Sequence, residues 1–212
     1  MGNYSVKEIF YTLQGEAARA GRPAVFLRFS GCNLWNGREE DRSSAICQFC
    51  DTDFVGTNGT LGGKYQASEL AKIVDSLWPQ QYTKASKYVV CTGGEPLLQL
   101  DDELIEQLHI HGFEVAIETN GTIEVPSTVD WICMSPKPNS KIIVNRGDEL
   151  KFIYPQENFQ PEMFEQLDFE HFYIQPMDNE DKMQNTQKAI AFCLANPMWK
   201  LSLQTHKDIG IR

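Results

Sequence analysis

The 212-residue chain has little with which to hold a nucleic acid duplex or enter a membrane. Its 29 Asp and Glu outnumber its 19 Lys and Arg, giving a formal net charge of −10 and a pI of about 4.9. It has no basic run and no basic amphipathic helix, whereas duplex-binding surfaces are generally basic. No segment approaches the roughly 18 apolar residues of a membrane helix, and residues 1–9 lack the apolar stretch of a signal peptide. Internal repeats, low-complexity tracts and convincing linkers are all missing. The expectation is one domain over 1–212, long enough for a real core, in a cytoplasmic protein with neither nucleic acid nor membrane as partner. In that compartment disulfides are rare, and cysteines are more often ligands or nucleophiles.

The chain has six cysteines. Cys91, Cys133 and Cys193 lie inside apolar patterns and read as small core hydrophobes. Cys32, Cys47 and Cys50 do not. They follow a buried-looking strand with spacing C-x14-C-x2-C, and no fourth cysteine is nearby. A structural zinc wants four protein ligands, and an electron-transfer 4Fe-4S cluster usually wants four cysteines. Three thiolates leave one metal position open to something that is not protein. This favours an iron–sulfur cluster, with zinc and a redox pair as the other readings.

Short apolar runs recur along the chain, several of them nearly continuous, as in parallel strands covered on both faces. Strands are expected at 24–29, 88–92, 114–118, 131–135, 150–153, 171–175 and 200–204. Helical patterns fall between some of them. One is capped by Ser68, buries Leu70, Ile73, Val74 and Leu77, and stops before Pro79. Another starts at Asp101, buries Leu104, Ile105 and Leu108, and stops at Gly112. A weaker helix covers 161–167, and a stronger one covers 186–196 with Ala189, Ile190, Cys193 and Leu194 as its stripe. The crossovers 121–130 and 136–149 are too short for a full helix. The expected fold is α/β, a partial, curved parallel (β/α) barrel with fewer helices than strands. A glycine-rich loop at 55–64 reads as solvated.

Parallel α/β sheets bind ligands at the C-terminal ends of their strands, and the unusual residues of this chain collect there. Cys32 follows one strand and Thr92-Gly-Gly-Glu-Pro96 the next. Glu118-Thr-Asn-Gly121, Ser135-Pro-Lys137, Gln175-Pro-Met-Asp178 and Gln204-Thr-His206 follow others. Two glycines after a strand let backbone approach a ligand closely. Glu95 adds a carboxylate suited to a ligand ammonium group. A three-cysteine cluster beside such a turn fits a ligand that chelates the open iron through its amino and carboxylate groups, as S-adenosylmethionine does.

With these motifs the chain resembles the radical S-adenosylmethionine superfamily and, within it, the 7-carboxy-7-deazaguanine synthase family of queuosine biosynthesis. Phe10-Tyr-Thr-Leu-Gln-Gly-Glu16, Phe29-Ser-Gly-Cys-Asn-Leu34, Cys47-Gln-Phe-Cys-Asp-Thr52, the Thr92, Glu118 and Ser135 motifs and Leu203-Gln-Thr-His-Lys207 come in the family's order. The usual superfamily spacing is C-x3-C-x2-C; the x14 gap resembles one branch of the synthases.

The resemblance implies that Cys32, Cys47 and Cys50 ligate a 4Fe-4S cluster. It implies that Gly94, Glu95, Ser135, Pro136, Lys137, Gln175, Pro176, Met177 and Asp178 hold S-adenosylmethionine. Leu13, Gln14, Gly15, Arg28 and Thr92 would contact 6-carboxy-5,6,7,8-tetrahydropterin. Glu16, Glu118 and His206 join that substrate set. The implied role of Thr52 is to bind Mg2+. A terminal carboxylate at Arg212 would meet the pterin, so a C-terminal tag is expected to weaken substrate binding. The implied reaction is a radical ring contraction to 7-carboxy-7-deazaguanine with loss of ammonia, catalysed by a homodimeric lyase fed by a flavodoxin-type electron donor. A glycyl-radical activating enzyme and a non-enzymatic zinc module are the alternatives.

Overall fold

A computed structural model describes residues 3–81 and 86–212. In chain order the elements are β1 (Tyr4–Leu13), β2 (Pro23–Phe29), β3 (Gly63–Tyr65), α1 (Ala67–Leu77), β4 (Lys87–Gly93), α2 (Asp102–Ile110), β5 (Phe113–Thr119), β6 (Trp131–Met134), β7 (Arg146–Tyr154), β8 (Asp168–Pro176), α3 (Lys182–Ala195), β9 (Trp199–Leu201) and α4 (Thr205–Asp208). They form one nine-stranded sheet in the order β3-β1-β2-β4-β5-β6-β7-β8-β9. From β2 to β9 every pairing is parallel, and β1 and β3 add an antiparallel edge. The sheet is open, yet it curves until its two sides meet beyond the strand ends. Thr205 N donates to Gly15 O at 3.0 Å, and Ala17 N donates to Ser202 Oγ at 2.9 Å. The partial barrel with fewer helices than strands is the fold observed.

Period-two alternation sorts each strand. On β2, Val25, Leu27 and Phe29 are fully buried under α1 and α2, while Phe26 and Arg28 line the inside of the curve. Helix α1 offers Leu70 and Val74 to that layer, and α2 offers Leu104, Ile105 and Leu108. Each such aliphatic side chain contributes about 1.5–3 kcal/mol on burial. The Asp101 carboxylate caps α2 by accepting from Leu104 N at 3.1 Å. Gly112, at φ +82°, ends that helix. Helix α3 covers the other half against β7, β8 and β9.

Several expectations are corrected. β1 and β3 were not anticipated. Helix α1 starts at Ala67 with Gln66 rather than Ser68 at its cap, and no side chain caps it. The 161–167 helix is a single 3-10 turn, Pro161–Phe164. In α3 the buried positions are Asn185 and Ala189, and Leu194 is 81% exposed. The glycine loop docks on β1, with Gly59 N bonded to Lys7 O at 3.0 Å and Ile9 N to Thr60 O at 2.8 Å. Cys91 and Cys133 are buried and Cys193 partly so. Among the described residues no helix is long and apolar enough to cross a membrane.

Candidate functional site

The strand ends surround a cavity of about 320 Å3. It takes Leu13, Gln14, Gly15 and Glu16 from the end of β1, Arg28 from β2, Thr92 and Gly94 from β4, and Glu118 from β5. Ser135 and Lys137 come from the loop after β6, Gln175 through Asp178 from the end of β8, and Cys50 and Thr52 from the cysteine loop. His206 and Arg212 reach it from the last segment. Cys32, Cys47, Glu95 and Pro136 are not part of its wall.

The cysteine loop is built against the turn after β4. Glu95 N donates to Gly31 O at 3.0 Å. The two backbones are so close that a Cβ on Gly94 would lie 2.2 Å from Gly31 O and 2.6 Å from Cys32 Cβ. Gly93 sits at φ +141°, where a Cβ would lie 2.3 Å from Phe29 O. These contacts, and not only a ligand, require two glycines here.

Glu95 corrects the expectation of a carboxylate offered to a ligand. It is fully buried, and its oxygens accept from Leu97 N (3.1 Å), Thr119 Oγ1 (2.9 Å) and Asn120 N (2.8 Å). It ties the β4 turn to the β5 turn. Asn120 Nδ2 continues the link to Asn33 Oδ1 at 2.9 Å, beside Cys32. Burial raises the Glu95 pKa despite these three donors.

The x14 insertion has its own clasp. Residues Glu39–Ser44 make 3-10 turns, and Arg42 reaches back from them. Its guanidinium donates to Cys50 O at 3.0 Å and Gln48 O at 3.1 Å, stacks 4.1 Å from the Trp35 ring centre and forks onto Glu39. Arg42→Ala is expected to leave the cluster assembled but speed its loss to chelator several-fold. Iron content followed over time checks this, and a loss rate equal to wild type contradicts it.

The thiol arrangement bears on the metal. A single zinc holds thiolates about 2.3 Å from itself, and hence about 3.8 Å from one another. Among the described residues, the one trio of His, Cys, Asp or Glu ligand atoms within 4.8 Å of each other is Glu118, Cys133 and Glu149. Cys32, Cys47 and Cys50 do not form such a trio. Cys32 and Cys50 have their pKa raised, first by burial and also by the nearby Cys47. A metal bound through these thiolates would displace their protons.

The cavity wall carries several charged side chains. Arg28 Nε donates to Glu8 Oε1 at 3.0 Å, and Glu8 also pairs with Arg212, whose guanidinium lies 4.5 Å from the Phe10 ring centre. Lys137 Nζ donates to Ser135 O and Oγ at 2.8 and 2.7 Å. Lys207 lies 2.6 Å from Asp51 and pairs with Asp178 across the mouth. His206 sits directly over Gly15, where a Cβ would meet its Nδ1 at 2.2 Å. Its pKa is lowered, chiefly by burial, so it is neutral near pH 7.

Lys151, on β7, is the residue that the sequence patterns did not single out. Its Nζ lies 2.5 Å from Glu16 Oε2 and 2.8 Å from Glu118 Oε2. The available signal was a lysine inside the apolar run Leu150-Lys-Phe-Ile153, which needs a buried counter-charge. Asp51, Gln204 and Lys207, which lie inside motifs named above but have no role assigned there, also line the cavity.

The chain is 58% identical over 211 residues to the 7-carboxy-7-deazaguanine synthase of Bradyrhizobium diazoefficiens, covering 99% of this chain and 100% of that protein. The chain belongs to the 7-carboxy-7-deazaguanine synthase family. The synthase of Caulobacter vibrioides is 58% identical over 209 residues, covering 98% and 99% of the two chains. That of Nitratidesulfovibrio vulgaris is 52% identical over 213 residues, with the same coverage. The crystal structure of QueE from Escherichia coli matches this fold with a TM-score of 0.74 at 28% identity, over 96% of this chain and 95% of that one. No protein-family model matches the chain. Membership of the synthase family makes S-adenosylmethionine and a 4Fe-4S cluster the expected cofactors.

Proposed function

We propose that this chain converts 6-carboxy-5,6,7,8-tetrahydropterin to 7-carboxy-7-deazaguanine with loss of ammonia. The observation that carries the proposal is full-length identity of 58% to two synthases. The cavity fits a pterin: it is of small-molecule size, has a cation on one wall and paired carboxylates on another, and adjoins the cysteine loop.

Cys32, Cys47 and Cys50 would hold three irons of the cluster. S-adenosylmethionine would lie along Gly94, Ser135, Lys137 and residues 175–178 at the end of β8. When bound and given one electron by a reductant, the two together would supply radical chemistry able to abstract hydrogen from the substrate. The chain's own residues then orient and shield the pterin. The Nε of Arg28 is held by Glu8, which leaves the outer nitrogens of its fork for the substrate carboxylate. Glu16 and Glu118 accept N–H groups of the ring. Neutral His206 offers one ring nitrogen as donor and the other as acceptor. Thr52 would hold Mg2+ through its hydroxyl, with substrate oxygens and waters completing the shell. The homodimer, the flavodoxin-type donor and the cytoplasmic setting belong to the proposal through the family resemblance.

Anaerobic calorimetry tests the substrate assignment. With cluster and S-adenosylmethionine bound, the carboxylated pterin is expected to bind saturably at one site per chain. A fully loaded protein that binds none of it contradicts the assignment.

A further inference from the structure

Lys151 is a lysine buried within the sheet. Its side chain is 5% exposed. Alternation along β7 puts it with Glu149 and Ile153 on the inner face, while Leu150 and Phe152 join the apolar layer under α3. An ammonium buried without partners is strongly unfavourable, so the partners explain why it is there. Those partners are two carboxylates 102 positions apart in sequence (16 and 118) that meet at one end of the cavity.

Two such carboxylates cannot both stay ionised at close range without a counter-charge; one would take up a proton. Each is also aimed by an amide. Gln204 Nε2 donates to Glu16 Oε1 at 3.0 Å, and Gln14 Nε2 donates to Glu118 Oε1 at 3.2 Å. We propose that Lys151 is a positioning residue that keeps Glu16 and Glu118 ionised and aimed into the cavity, so that both accept N–H groups of the pterin ring.

The surroundings agree. Burial works to raise the Glu16 pKa, but Lys151 and Gln204 outweigh it and hold it below the ordinary carboxylate range. Burial works against the Lys151 charge, but the Glu118 and Glu16 carboxylates outweigh it and raise its pKa well above the usual value. Glu149 behaves oppositely. Burial and the charge of Glu118 raise its pKa, with Ala18 N as its backbone donor, at 2.9 Å. The remaining groups facing this cluster are Cys133 from β6, Tyr88 from β4, Tyr173 from β8 and His206 from α4. The buried Cys133 thiol has its pKa raised, and both tyrosines are raised too, so all three stay neutral near pH 7. Lys151 is thus the counter-ion of the pair.

The inference rests on the synthase reading. Its test is anaerobic calorimetry of the carboxylated pterin binding to holoenzyme with S-adenosylmethionine bound, in two buffers of different ionisation enthalpy, which counts protons exchanged. Wild type is expected to release none from the site near neutral pH. Lys151→Met is expected to bind about 100-fold more weakly and to release about one proton, because a shared proton must leave before the ring can dock. Lys151→Arg keeps the charge and is expected to behave as wild type in proton count. Affinity for S-adenosylmethionine stays the same in all three. A Lys151→Met protein with wild-type affinity and proton count overturns the inference, as does equal weakening of S-adenosylmethionine binding. Should Lys151→Met fail to fold, release of a proton by wild type, or by folded Lys151→Arg, overturns it. If wild type binds no pterin at all, it is the synthase reading that fails instead.

Discussion

Gly94→Ala is expected to cut product formation by at least about 100-fold, because a displacement of about 1 Å at a reacting site is enough for that. The added methyl has nowhere to go. It would meet Gly31 O at 2.2 Å and Cys32 Cβ at 2.6 Å, and the first of these is backbone. Either the β4 turn or the Cys32 loop must move, and the Glu95 N to Gly31 O hydrogen bond lies between them. The displacement falls on Cys32, the proposed cluster ligand, and on the backbone expected to face S-adenosylmethionine. Gly112→Ala is the matched control. Gly112 has a positive φ, +82°, and nothing lies within 4 Å of its would-be Cβ. That change is expected to lower stability by about 1 kcal/mol through backbone strain and leave turnover intact. Thermal melts, iron content and turnover of the two variants side by side separate the effects. Equal activity of both variants would contradict the close approach as the reason for Gly94.

Arg28→Ala is expected to raise KM for the carboxylated pterin about 100-fold, the loss expected when one partner of a desolvated, hydrogen-bonded charge pair is removed. The fold should survive, because Glu8 keeps Arg212 as a partner. The discriminating readout is the ratio of affinities for the carboxylated pterin and the same ring without its carboxylate. Wild type is expected to favour the first strongly and Arg28→Ala to treat them nearly alike. Lys at this position should recover only part of the difference, since it lacks the planar fork. An unchanged ratio would move the carboxylate elsewhere in the cavity.

What could be read from the sequence followed physical lines. Strands β2, β4, β5, β7 and β8 announced themselves as apolar runs because a parallel sheet buries both faces. Strand β1 did not, since Lys7 and Glu8 interrupt its pattern; they are accommodated by Asp53 and Arg28, which lie far along the chain. Strand β3 has three residues, too few to show a period. The exposed Leu194 shows the limit of helical spacing, which marks a stripe but not where its covering ends.

The rim of site residues was legible because such sheets place ligand-binding residues at one end of their strands. Two details were not. Glu95 looked like a ligand group, but the unpaired N–H groups of Leu97 and Asn120 needed its carboxylate more. Lys151 looked like an interruption in a strand, because Glu16 and Glu118 come to it only through the curvature of the sheet.

The most direct measurement is turnover by anaerobically reconstituted wild type with S-adenosylmethionine, a reductant, Mg2+ and 6-carboxy-5,6,7,8-tetrahydropterin, beside a Cys47→Ala protein prepared identically. The prediction is that wild type forms 7-carboxy-7-deazaguanine and ammonia in equal amounts, while Cys47→Ala forms neither. Wild-type protein that carries a full cluster, cleaves S-adenosylmethionine and leaves the pterin untouched would contradict the account.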